Sequence, residues 1–180
     1  MNKQAQLQTE NWLNKFIIAH NICPFAQAVV TDKSLYYAVD NATDSACCLQ
    51  QLIIECERLD NQNTIETTLL IYTNTFKNFE DFLDYVDLAN ALLEAQNYEG
   101  VYQLASFHPD YCFADVDETD ASNYTNRSPF PMLHLIREAS IEKVLDSYPN
   151  PESIPVRNIA LTRSLGVTTL KTRLSSIQKK

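Results

Sequence analysis

Seven residues near the middle of the chain, Thr67 to Thr73 (TTLLIYT), constrain the fold more than any other stretch. A short, uninterrupted apolar run rich in β-branched residues reads as a strand covered on both faces, and such strands sit in sheets with helices packed above and below. Upstream, Lys33–Asp40 (KSLYYAVD) has the tyrosine and valine content of a second strand. Between the two lies a helix that Thr43 or Asp44 can cap, with Ala46, Leu49, Ile53, Cys56 and Leu59 on one face. Downstream, residues 75–95 predict a helix burying Phe79, Phe82, Leu83, Val86 and Leu93. Gly100 then suits a turn into a third strand, Val101–Phe107. Strand, helix, strand, helix, strand demands crossover connections. The expectation is an α/β fold: a small, mainly parallel three-stranded sheet (β-α-β-α-β) covered by N-terminal and C-terminal helices.

The covering helices are legible too. Trp12, Leu13, Phe16, Ile17 and His20 recur at helical spacing over residues 7–20, and Pro24 suits the first position of a further helix with Cys23 as its N-cap. Pro131–Tyr148 is apolar on most sides and predicts a buried helix, ended by Pro149-Asn150-Pro151. Ser153 can cap the next, Gly166 closes it, and Leu170, Leu174 and Ile177 predict a last short helix.

With 180 residues, 45% of them hydrophobic, the chain has material for one core. Residues 1–166 are expected to form a single α/β domain and residues 167–180 a basic C-terminal tail. Up to residue 156 there are eight Lys/Arg against 23 acids, a net charge of −15, whereas the rest holds six Lys/Arg and no acid. An acidic body repels phosphate backbones, so nucleic acid is not an expected partner, and the basic end is expected to fold back onto the body. No apolar run is long enough to span a membrane, and the N-terminal residues lack a leader pattern. A cytoplasmic location is therefore expected, with the five cysteines reduced. Neither a cofactor nor an oligomeric state can be read from the residues.

Chemistry is expected at three junctions between loops and helices. Ligands in open α/β sheets sit beyond the carboxyl ends of strands, where Phe107-His108-Pro109-Asp110 stands. His108 is the candidate proton carrier and Asp110 its orienting group. About twenty residues follow without a clear element, a length that points to a functional loop. The acids Asp115, Asp117, Glu118 and Asp120 read as a solvated lid. Asn123, Asn126, Arg127 and Ser128 read as a binding cluster at the start of the 131–148 helix, where backbone N–H groups and a guanidinium would hold an anionic small molecule. On that helix His134 and Glu138 share a face. Cys23, facing the positive end of a helix dipole, is expected to have a lowered pKa and is the candidate nucleophile.

Asn21–Phe25, Ala105–Tyr111 and above all Asn123–Glu138 (NYTNRSPFPMLHLIRE) resemble the signature segments of a mostly bacterial family filed as domain of unknown function 1415. The likeness runs through most of the chain, to about Arg157-Asn158. It implies no activity, substrate or cofactor, so no residue roles carry over. Cys23-Pro24-Phe25-Ala26 is also similar to the start of glutaredoxin-type proteins, but Ala26 replaces the second cysteine and a dithiol mechanism is excluded.

Three functions follow as expectations. One is a small-molecule enzyme using Cys23, His108, Asp110 and His134 for chemistry and Asn123, Asn126, Arg127 and Ser128 for binding. Another is a non-catalytic module that senses a metabolite or docks a partner. The third is a metal site built from His108, Asp110, His134 and Glu138.

Overall fold

All six residues of β2, Thr67–Tyr72, are buried in the computed structural model, which describes residues 2–178. β1 (Leu35–Asp40) lies parallel beside it, with Leu35 opposite Thr67 and Asp40 opposite Tyr72. On its other side, however, β2 pairs antiparallel with β4 (Met132–Arg137), which in turn pairs antiparallel with β3 (Tyr102–Phe107). The strand order is β1-β2-β4-β3. The expected three-stranded, mainly parallel sheet is therefore corrected to a four-stranded mixed sheet in which two of the three pairings are antiparallel.

The added strand comes from the stretch 131–148 that had the pattern of one helix. Leu133 and Leu135 face one core and Met132 the other, so a central strand buried on both faces shows no alternation of apolar and polar residues. Helix α5 (Glu138–Ser147) begins at the next residue, without an intervening turn to mark the change. Glu138 donates its N–H to the Val101 carbonyl at the foot of the sheet.

One face is covered by α3 (Ser45–Asn61) and α4 (Phe79–Ala95). The Asp44 carboxylate caps α3 by accepting from the Cys47 N–H, and Asn78 caps α4. Cys48, Leu52, Cys56 and Leu59 from α3 meet Phe82, Tyr85, Ala89 and Leu93 from α4 above Leu70, Tyr72, Leu133 and Leu135. Burial of each leucine here stabilises by about 2 kcal/mol. Leu83, expected in this core, is instead 41% exposed.

The opposite face is covered by α1 (Asn2–Trp12), a π-helical turn over Leu13–Ile18, α2 (Ala26–Thr31), α6 (Ser153–Leu165) and α7 (Val167–Gln178). Ala5, Thr9, Leu13 and Ile17, like Gln8, Trp12 and Phe16, are buried at steps of four residues. On a regular α-helix such steps rotate the stripe by about 40° each. The wider π turn brings Phe16 and Ile17 back over the sheet. Residues 167–178, set apart by their charge, form α7, which buries Leu170 and Ile177 against this core and points Arg173 at the His20 ring. No helix among the described residues is long and apolar enough to cross a membrane.

Candidate functional site

The 24 residues from His108 to Pro131 connect adjacent antiparallel strands, a task that two residues can accomplish. They are fastened at many points. Asn123 is fully buried; its Oδ1 accepts from the Phe113 N–H at 3.1 Å and its Nδ2 donates to the Asp117 carbonyl at 2.9 Å. Arg127 donates Nε–H to the Tyr111 carbonyl and an Nη2 hydrogen to the Glu118 carbonyl, with its guanidinium over the Tyr124 ring. The Ser128 hydroxyl donates to the Phe130 carbonyl, and Asn126 Nδ2 donates to the Ser106 carbonyl. From outside the loop, the Trp12 indole N–H donates to the Arg127 carbonyl at 3.0 Å.

These bonds replace the expected anion site with a built wall. The helix whose N-terminus was to hold the anion is absent, because β4 occupies its place, and the Arg127 guanidinium donates to two loop carbonyls. The acidic segment is likewise anchored: Asp120 caps the 3-10 turn Ala121–Thr125 and pairs with Arg163 on α6 at 2.8 Å. That guanidinium, with help from Ser122, holds the Asp120 carboxyl well below the usual carboxylate range.

His108 is fully buried and both ring nitrogens meet backbone. Nδ1 accepts from the Asp110 N–H at 3.0 Å, so Nε2 carries the proton and donates to the Phe76 carbonyl at 2.8 Å. Phe79 and Phe82 pack against the ring, and burial lowers its pKa. It is Asp110's backbone that meets His108; the Asp110 residue itself is exposed. His134 sits mid-strand on β4 rather than on a helix, so the expected i, i+4 face with Glu138 does not exist. Its Nε2–H donates to the Thr67 hydroxyl at 2.7 Å, which passes its own hydrogen to the Leu135 carbonyl. Burial pushes the His134 pKa down to about 4.

Cys23 comes to a different place. It precedes α2 by three residues instead of capping it, since the N-cap is Phe25. Burial pushes its thiol above the ordinary value of 9.0, outweighing the N–H groups of Phe25 and Ala26 that draw it down. The expected lowered pKa is thereby corrected: the amide donors are present, but the low-dielectric surroundings win. A π-type bond from the Ile22 N–H to the Ile17 carbonyl, 2.8 Å, folds the Ile22–Cys23 turn against the π helix.

Here a cavity of about 540 Å³ opens. Ile17, Ile22 and Cys23 form one side and Phe107 at the end of β3 another. The loop contributes Phe113, Val116, Ser122, Thr125 and Asn126, and the first turns of α6 contribute Ile154, Pro155, Asn158 and Ile159. Of the residues singled out in the sequence, Cys23 and Asn126 therefore share one site. His108 adjoins Arg127 through backbone bonds, outside the cavity lining, and His134 lies apart with Thr67.

A family model described as a protein of unknown function, DUF1415, matches residues 4–172. The chain belongs to that family. No curated protein and no solved structure matches it. In this DUF1415 chain the matched span includes every segment that lines the cavity. Ser122, Phe113, Val116 and the α6 residues were not singled out in the sequence. The likeness, expected to end near Arg157-Asn158, runs on to residue 172. Asn158 Nδ2 donates to the Ile22 carbonyl at 2.7 Å, tying α6 to the Cys23 turn. Among the described residues, no group of three or more His, Cys, Asp or Glu is placed to hold a metal ion.

Proposed function

We propose that the protein binds a small molecule in the Cys23 cavity and acts as a carrier or sensor. The observation that carries this reading is the cavity itself: about 540 Å³, within the range of ligand pockets, and lined from four separated parts of the chain. Binding is favoured over turnover because burial keeps the Cys23 thiol protonated at neutral pH and neither His108 nor His134 lines the cavity to take its proton. The anionic ligand expected from the sequence is not retained: Arg127, its intended partner, is engaged by two carbonyls.

The test is native mass spectrometry of the full chain after exposure to a cell extract. The wild type is expected to retain a small-molecule adduct that Ile159→Trp, which places an indole at the cavity mouth, does not. A wild type that emerges with no bound mass refutes the proposal.

A further inference from the structure

We infer, building on the cavity reading above, that the ligand is an uncharged amphiphile that enters head first, with the Ser122 hydroxyl as the anchor of its head group. The cavity is graded from floor to mouth. Its most buried polar residues are Ser122, 2% exposed, and Asn158, 7% exposed, whereas Pro155 and Ile159 on α6 are exposed and apolar. Val156, 69% exposed beside them, extends the apolar rim along α6. A ligand with a polar group at one end and hydrocarbon at the other matches that order, polar end inward.

Among the described residues of the lining, the Ser122 hydroxyl is the buried side-chain oxygen left without a hydrogen-bond partner. Asn158 is satisfied on both sides, donating to the Ile22 carbonyl and accepting from Arg157. The Thr125 hydroxyl donates to the Ser122 carbonyl and Asn126 Nδ2 to the Ser106 carbonyl. Ser122 Oγ is buried and closes no hydrogen bond of normal geometry. It lies near enough to Asp120 to help hold that carboxyl low, but it makes no hydrogen bond of normal geometry there, and the Asp120 oxygens already accept from the Arg163 guanidinium and the Ser122 N–H. A buried hydroxyl without a partner is a standing cost that a ligand group removes.

Charge is excluded from the head group by the same surroundings. None of the described residues lining the cavity is charged. An anion would lose its hydration with no cationic side chain in the lining to replace it, and an ammonium with no carboxylate.

The experiment is calorimetric titration of the full chain with three probes of similar size: phenylpropanol, butylbenzene and phenylpropanoate. Phenylpropanol is expected to bind the wild type tightest and phenylpropanoate weakest. Ser122→Ala should weaken phenylpropanol by about tenfold, the worth of one hydrogen bond, leave butylbenzene unchanged, and not lower the thermal midpoint of the free protein. Equal binding of phenylpropanol and butylbenzene overturns the head-group anchor while the cavity reading stands. Tightest binding by phenylpropanoate overturns the uncharged class alone. A lowered midpoint in Ser122→Ala means the hydroxyl already has a partner and also overturns the anchor. If none of the three binds the wild type, the inference and the cavity reading fall together.

Discussion

Acid should destabilise this fold through His134. The imidazole is enclosed between β2 and β3 on the face covered by α1, with Phe107 6.5 Å away, centroid to centroid, and its Nε2–H donates to Thr67. Burial holds its pKa at about 4, against an ordinary 6.5. Between those values the unfolded chain binds a proton that the folded chain refuses. The contribution of His134 is therefore fully present above pH 6.5 and is lost as pH falls toward 4. The slope is about 1.4 kcal/mol per pH unit and the total about 3 kcal/mol, an upper bound because the residue keeps a partly exposed edge.

Carboxylates titrate in the same region, so the measurement has to isolate one group. Urea unfolding of the wild type and of His134→Gln, which retains a side-chain donor for Thr67, should be compared at intervals from pH 8 to pH 4. The wild type is expected to lose up to about 3 kcal/mol more than the variant over that range. His134 should also be followed by its ring proton resonance, which should not titrate until well below 6.5. Parallel stability curves, or an imidazole midpoint near 6.5, would show that His134 is solvated and would refute its enclosure.

Other side chains give independent tests. Arg137 donates to the carbonyls of Leu59 and Ile65 and lies over the Tyr102 ring, so Arg137→Met should cost about 2–3 kcal/mol in urea unfolding. His108→Phe keeps an aromatic ring between Phe79 and Phe82 but orphans the Asp110 N–H and the Phe76 carbonyl; a loss of about 2–4 kcal/mol is expected, and a neutral result would contradict the backbone bonds. Under a thiol-specific reagent at pH 8, Cys47, which is exposed, should react first and Cys23 more slowly. Cys48 and Cys56, pushed up to about 12 by burial, should react only on unfolding. Mass mapping of the labelled peptides checks that order, and Cys23 labelling ahead of Cys47 would restore the activated thiol.

Much of the fold was legible because burial and period agree in it. β2 is buried throughout, as its apolar, β-branched run demands; α3 and α4 carry N-caps, Asp44 and Asn78, that start them within a few residues of where their patterns begin. β4 escaped because Met132, Leu133 and Leu135 fill two cores at once, which a strand and a buried helix do with the same residues. The site was half legible for a related reason. Cys23 and Asn126 were singled out and do line one cavity, but His108 drew attention by standing at a strand end. Whether a histidine there moves protons or holds backbone depends on where Asp110 N–H and the Phe76 carbonyl lie. Those are backbone positions, on which residue identity is silent.

The insertion of β4 also bears on why the loop is so heavily hydrogen-bonded. Because β4 returns next to β3, the ends of the connection are already close, and loop length brings no topological advantage. Its polar side chains turn inward instead: Asn123, Arg127 and Ser128 bond the loop's own backbone at Tyr111, Phe113, Asp117, Glu118 and Phe130, and Trp12 and Arg163 pin it from two other elements. A segment that opened and closed would break these bonds each time, with roughly 1 kcal/mol lost for each. Access to the cavity is therefore expected from the α6 side, where Pro155 and Ile159 are exposed and Asn158 alone of the cavity-lining α6 residues is buried, and not by motion of the acidic segment.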